Sequence, residues 1–208
     1  MDVSAPIRAV LPSSHGPVLT VLARAGQPLT GRRIADLTHP SVSQKQTSTV
    51  LSSLAAHGLV TVTPAGSSNL YSLNRDHLAA DAITQLTTLR ERLWDRILGH
   101  VATWAHQPDA LVVFGSTARG DGGVDSDIDI LVVRPEAVLD SDSAWQEDLT
   151  RFAAQVTTWT GNGVDLLDMS PADLSAMAAA GEALLSNIRS EGRFLIGAPH
   201  VVPVPEEG

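Results

Sequence analysis

The chain has 208 residues, 43% of them hydrophobic and 18% charged, enough to bury one large core or two small ones. It contains no cysteine, which excludes disulfide frameworks and thiolate metal sites and fits a reducing cytoplasm. No stretch is long and apolar enough to span a bilayer, and the first ten residues carry Asp2 and Arg8 without the apolar run of a leader, so a cytoplasmic protein with no membrane partner is expected.

The net charge of −9 hides an asymmetry. Residues 1–77 hold six Lys/Arg and three acids, a net of +3, whereas the remainder holds eight Lys/Arg and twenty acids, a net of −12. A mildly basic front joined to an acidic back implies two modules with different partners. Residues 1–12 read as an N-terminal arm. His15 to Ala25 then reads as a short helix with Val18, Leu19 and Leu22 on one face and Gly26 beyond its end. Leu29 to Leu37 reads as a second, and Pro40 interrupts the pattern. Ser43 fits the N-cap of a third helix to about His57, with Val50, Leu51 and Leu54 inward and Gly58 as its stop. Leu59 to Thr63 alternates like a strand, Pro64 to Asn69 is turn chemistry, and Leu70 to Leu73 returns as a second strand.

Three helices and a hairpin make a winged helix-turn-helix over residues 13–77. The run Thr47-Ser48-Thr49-Val50, with Leu54 and His57-Gly58-Leu59-Val60, resembles the recognition helix and wing entry of MarR- and ArsR-like regulators. The N-terminal end of such a helix enters the major groove. Ser43, Gln44, Gln46 and Thr47 are then candidates for base edges or phosphates, and Lys45, Arg32 and Arg33 for phosphates, with DNA as the expected partner. The competing reading is a winged helix used for protein contact, since the basic surplus is small and phosphate contacts dominate affinity.

Residues 78–106 read as one connecting helix. Ile83, Leu86, Leu89, Leu93, Ile97, Val101 and Trp104 recur every three or four positions, with Arg90, Glu91, Arg92, Asp95 and Arg96 between them. The stripe serves either as a homodimer seam or as packing for the next domain; the strand that follows within a few residues favours packing.

Ala110 to Phe114 is a continuous apolar run, a buried strand, and it ends directly in Gly115-Ser116. Glycine lets backbone approach a ligand and serine supplies a hydroxyl; the amides of the following turn can face a phosphate. After the glycine-rich loop Asp121 to Ser126, Asp127-Ile128-Asp129-Ile130-Leu131-Val132-Val133 reads as a strand whose period of two puts both acids on one face. Adjacent carboxylates repel unless a cation sits between them, and oxygen-only ligands suit Mg²⁺ or Mn²⁺. A helix from about Ser143 to Thr160 leads through Gly161-Asn162-Gly163 to a strand Val164 to Asp168. Asp165 lies inside it, where an unpaired acid is costly; Asp168 falls on the opposite face and reads as structural. Ser170 with Pro171 marks the next helix start.

Gly115-Ser116, ten residues, then Asp127-x-Asp129 resembles the Gly-Ser-x₁₀-Asp-x-Asp signature of the DNA polymerase β-like nucleotidyltransferases, and among them the minimal nucleotidyltransferases. The resemblance covers about residues 80–197. With the front module it implies an α+β chain of two domains, the second (78–197) a small mixed sheet flanked by helices; residues 198–208, with three prolines and two glutamates, read as a loose tail. It also implies catalytic, metal-binding roles for Asp127, Asp129 and Asp165, and nucleotide-binding roles for Gly115, Ser116 and Arg119. The resemblance further implies Mg²⁺ or Mn²⁺ as cofactor and a nucleoside triphosphate, ATP favoured, as substrate. The acceptor is a hydroxyl, on a toxin-like partner protein by analogy with antitoxins of this kind, in a DNA-tethered or autoregulatory enzyme. Two other functions stay open: a transcription regulator whose second domain only senses nucleotide, and a small-molecule, antibiotic-type nucleotidyltransferase.

Overall fold

The computed structural model describes residues 1–203 and divides into two compact units, Ala5–Glu91, and Met1–Ser4 together with the chain from Arg92 onward. The first unit contains α1 (His15–Arg24), β1 (Leu29–Thr30), α2 (Gly31–Leu37), α3 (Gln44–Ala56), β2 (Val60–Ala65), β3 (Ser68–Leu73) and α4 (Ala80–Thr87). Val18, Leu19 and Leu22 of α1, Ile34 of α2 and Val50, Leu51 and Leu54 of α3 form its core with Leu59, Val60, Leu73, Ala80 and Ile83. Their i, i+3, i+4 spacing supplies one apolar stripe per helix, and burying those stripes is what stabilises such short helices. The Thr30 hydroxyl accepts from the Arg33 amide at 3.2 Å and the Ser43 hydroxyl from the Gln46 amide at 3.3 Å, so each satisfies an orphan donor at a helix start.

The expected helix 29–37 is shorter than its sequence suggests. Thr30 acts as N-cap, so Leu29 and Thr30 stay extended and pair with Tyr71 and Leu70 of β3. The hairpin is tighter than expected: Pro64 pairs with Asn69 and Ala65 with Ser68, leaving a two-residue loop at Gly66-Ser67. Sheet order β1-β3-β2 makes β2 an edge strand, where a proline with no amide to donate is tolerated.

Residues 78–106 are not one helix. α4 ends at Thr87 and α5 runs Leu89–Val101. The Thr84, Thr87 and Thr88 hydroxyls bond to the carbonyls of Ala80, Thr84 and Gln85, local competition that threonines offer a helix ladder. The unit boundary falls at 91/92 rather than 77/78 because Ala80 and Ile83 belong to the first core, while Leu93, Trp94, Ile97 and Val101 belong to the second. Ile83, Leu93, Ile97, Val101 and Trp104 of the stripe are thus packed within the chain, whereas Leu86 and Leu89 are half-buried.

The second unit continues with β4 (Ala110–Phe114), α6 (Gly115–Arg119), β5 (Ile128–Val133), α7 (Ser143–Thr160), β6 (Val164–Met169), α8 (Pro171–Ala179), α9 (Ala183–Glu191) and β7 (Arg193–Ile196). Its sheet has the order β6-β5-β4-β7, with β5 and β6 parallel and the other pairs antiparallel. The strands alternate between two cores, one on each face. Leu111, Val113, Ile128, Ile130 and Val132 pack with α5 and α7, where Trp104, Trp145 and Phe152 meet edge to face at 5.4–5.5 Å. Ala110, Val112, Leu131 and Val133 pack with Leu174 and Ala178 of α8 and Leu185 and Ile188 of α9. Burial on both faces explains the continuous apolar runs of β4 and β5. This is the mixed α+β sheet flanked by helices that the sequence implies.

Neither end of the chain is loose where described. Val3, Ala5 and Ile7 are buried, and Pro6–Ala9 form a turn of 3₁₀ helix. Pro199–Val201 form another, Val202 is buried in the second core, and its carbonyl accepts from Arg189 at 3.1 Å. Most of the expected tail is therefore ordered by apolar anchoring; residues 204–208 lie outside the described residues.

Candidate active site

The site forms at one end of the sheet, where three strands carry it in register. Phe114 of β4 stands opposite Asp129 of β5, and Asp129 opposite Asp165 of β6. With a side-chain period of two, Asp127, Asp129 and Asp165 share the face that carries Leu131, Val133 and Leu167 farther along, beyond the reach of that face's core. Asp165 is exposed, which corrects the expectation that it is a costly buried acid: it lies at the open end of an edge strand. Asp168, three residues on, faces the other way. It accepts from Arg134 Nη1 at 2.6 Å and Trp145 Nε1 at 3.2 Å, a structural pairing at the end of β5 and the start of α7.

Gly115 turns the chain from β4 into α6 with φ +64. A Cβ there would stand 2.1 Å from Asp129 Oδ2, so only glycine allows the serine turn and the central carboxylate to lie side by side. Ser116 then gathers the glycine-rich loop: its carbonyl accepts from the amides of Gly120, Asp121 and Gly122 at 3.0–3.2 Å. A Cβ on Gly122 would stand 3.1 Å from the Ser116 hydroxyl. Hydroxyl, loop and carboxylates thus converge on one small volume, as phosphate binding beside a cation requires.

Electrostatics single out Asp129. Partial burial pushes its carboxyl above the usual range, the Asp165 and Asp127 carboxylates push it further, and Arg119 opposes them. Three anionic side chains on one face are stable together only with positive charge among them, and their donor set is all oxygen, which suits Mg²⁺ or Mn²⁺. Among the described residues no three acids close into a preformed metal cage. Arg119, expected to lie over a triphosphate, donates instead to Asp121 at 3.2 Å and Glu191 at 3.5 Å. These hydrogen bonds and charges, Asp121 foremost, raise the guanidinium's pKa above its ordinary value.

Two residues of this site have no warning in the sequence. Glu191 comes from the end of α9, 72 residues from Arg119. Asn162 is buried in the turn before β6 and bonds to the loop between Gly120 and Asp127. Its Gly-Asn-Gly setting reads only as turn chemistry.

In the first unit, Arg32, Arg33, Ser43, Gln44, Lys45 and Gln46 are exposed. Arg32, Gln44 and Ser48 share a groove of about 380 Å³ with Asn69 and Tyr71. Gln46 is partly committed, accepting from the Ser43 hydroxyl at 3.0 Å. Thr47 is fully buried, which removes it from any external contact: positions 47, 50, 51 and 54 have the i, i+3, i+4, i+7 spacing of one face, so Thr47 belongs to the core stripe of α3. Arg24 and Arg75 are spent internally, on Thr87 and Glu91 and on the Ala23 carbonyl.

Residues 99–162 match the model of the Nucleotidyltransferase domain, a span that includes Gly115, Ser116, Asp127 and Asp129 and stops three residues before Asp165. The bifunctional uridylyltransferase/uridylyl-removing enzyme of Methylococcus capsulatus is 31% identical over 123 residues, 57% of this chain and 13% of that protein. The chain therefore spans about an eighth of that relative's length. Partial structural likenesses include a toxin–antitoxin solved with AMP-PNP (23% identity, 50% of this chain and 73% of that one, TM-score 0.36). Another is the tri-AMPylated Shewanella oneidensis HEPN toxin in complex with MNT antitoxin (19% identity, 53% and 74%, TM-score 0.34). With Gly115-Ser116 and Asp127-x-Asp129 standing inside the matched residues, the chain carries a nucleotidyltransferase domain, a domain of NTP-dependent transferases.

Proposed function

We propose that this chain is a metal-dependent nucleotidyltransferase that moves a nucleoside monophosphate from a triphosphate, ATP favoured, to a protein hydroxyl, and that its first unit is a winged helix that holds the enzyme on DNA. The observation that carries the enzymatic reading is the register of Phe114, Asp129 and Asp165 across three strands, with Gly115-Ser116 folded against Asp129. Asp127 and Asp129 would hold divalent ions, with Asp165 sharing one of them. When bound, such ions neutralise triphosphate charge and lower the pKa of the acceptor hydroxyl. The Ser116 hydroxyl would donate to a phosphate oxygen. Arg119 would exchange Asp121 and Glu191 for triphosphate charge as it builds in the transition state. The acceptor oxygen attacks the α-phosphorus, its proton passes to the Asp165 carboxylate, and the bond to the bridging oxygen breaks to release pyrophosphate. Exposed Lys45 in the first turn of α3, exposed Arg32, which shares a groove with Gln44 and Ser48, and exposed Arg33 on α2 support the DNA reading.

Incubation of candidate partner proteins with the four labelled nucleoside triphosphates and Mg²⁺ or Mn²⁺, read as a mass shift, tests the enzyme. A shift of one nucleoside monophosphate on a partner is expected. Nucleotide binding with no transfer to protein or small molecule would leave a sensor in its place. For DNA, Lys45→Ala should weaken a footprint on the chain's own promoter and reduce the slope of log affinity against log salt by about one. No footprint at low salt would assign the first unit to protein contacts.

A further inference from the structure

We propose that Asn162 is a positioning residue for Asp127, its carboxamide clamping the glycine-rich loop so that Asp127 stands with Asp129 and Asp165; this rests on the nucleotidyltransferase reading above. Asp127 is the last residue of a loop that begins after Gly120, and that loop is rich in glycine and exposed residues. Within it two bonds join Gly123 and Ser126, from the Gly123 amide to the Ser126 hydroxyl at 2.9 Å and from the Ser126 amide to the Gly123 carbonyl at 3.3 Å. Asn162, only 4% exposed, supplies an anchor from 36 and 38 residues away. Its Nδ2 donates to the Ser126 carbonyl at 2.9 Å and to the Val124 carbonyl at 3.2 Å. The two carbonyls lie two residues apart on the segment that delivers Asp127, so both protons of one amide are used to fix its course.

The neighbouring residue completes the clamp. The Gly163 carbonyl accepts from the Ile128 amide at 2.9 Å, and a Cβ on Gly163 would stand 2.2 Å from Asp127 Oδ1. Asp127 therefore sits between bonds made by Asn162 on its N-terminal side and by Gly163 on its C-terminal side, its carboxylate against the bare glycine backbone. Asn162 is itself fixed: its Oδ1 accepts from the Met1 ammonium at 2.7 Å and its own amide donates to the Thr160 hydroxyl at 3.2 Å. A fully bonded buried amide of this kind is an orienting device, since each partner restricts the next. Aspartate in its place has the same shape but no proton to give either carbonyl.

The test uses the full chain with Asn162→Ala and Asn162→Asp. Four quantities are read: hydrogen exchange of amides 121–128, Mn²⁺ binding without nucleotide, the Mg²⁺ concentration for half-maximal transfer, and the thermal midpoint. Both variants should lose protection selectively in 121–128. The metal concentrations should rise by about tenfold to a hundredfold, the range found when groups that orient metal ligands are removed. A lower thermal midpoint with wild-type loop exchange and metal dependence would make Asn162 a stabilising turn residue and overturn the proposal. Wild-type protein gives an arm that needs no variant: the Asn162 side-chain amide protons should exchange slowly, and rapid exchange overturns the clamp. A wild-type chain that transfers no label to any acceptor overturns the enzyme reading, while loop exchange still decides the role of Asn162.

Discussion

Asp127, Asp129 and Asp165 differ sharply from Asp148 and Asp168, five carboxylates of the same unit. Asp148 is buried, and it accepts from the Ala105 amide at 3.0 Å and from Arg151. Asp168 accepts from Arg134 and Trp145. Each is neutralised within the fold, as a desolvated charge must be. Among the described residues the other three have no such hydrogen-bonded partner, and burial first, then the Asp165 and Asp127 carboxylates, push the carboxyl of Asp129 up. On β6 the two kinds are three residues apart and face opposite sides of the sheet. Compensation within the fold is what separates Asp148 and Asp168 from the three acids of the candidate site.

The sharpest break between the groups is kinetic. Asp129→Ala should lower transfer by about a thousandfold or more, on the order of 4 kcal/mol of transition-state stabilisation, with a melting curve no worse than wild type. Label transfer and circular dichroism report the two sides, and wild-type turnover would move Asp129 out of the catalytic group. Asp168→Ala should do the reverse. Leaving the nearly buried Arg134 guanidinium with only Asp173, at 4.0 Å, should cost about 3 kcal/mol, measured by urea unfolding, while the protein that remains folded still binds nucleotide. If it unfolds with the wild type, Asp168 loses its structural assignment.

The smallest effect is the most diagnostic. Because the carboxyl of Asp129 is raised in the folded state, the native protein binds more protons than the unfolded chain at pH values between the two pKa values. Stability therefore falls as pH rises through that window, with the full penalty present above the folded value and absent below the ordinary carboxylate value of about 4. Asp129→Asn should accordingly melt higher than wild type near neutrality, and the gap should close on acidification. Divalent ion should narrow it at neutral pH by stabilising only the wild type. A gap independent of pH would show that repulsion among the acids is not its source.

The strand-turn-strand that bears Ser116, Asp127 and Asp129 was legible because a buried strand writes itself as an unbroken apolar run, and period two assigns faces without knowledge of neighbours. For Asp165 the sequence suggests a buried acid, whereas the residue is exposed on an edge strand in parallel register with Asp129, which no local pattern encodes. The division of residues 78–106 was hidden for a related reason. The apolar stripe runs through Thr88, and only the three threonine hydroxyls and the assignment of its two halves to different cores reveal the break. Thr47 was misread as surface because its hydroxyl suggests contact, although its spacing from Val50, Leu51 and Leu54 already put it on the inner face. Asn162 was out of reach, since its bonds span more than thirty residues.

Gly115 carries a consequence for anyone who would re-engineer this enzyme. Its left-handed φ strains most side chains, with asparagine the most tolerant, and any Cβ there would stand 2.1 Å from Asp129 Oδ2 and push that carboxylate out of its place. A substitution at this codon therefore disturbs Asp129 as well as the turn, and diversity for new substrates is better introduced elsewhere around the site.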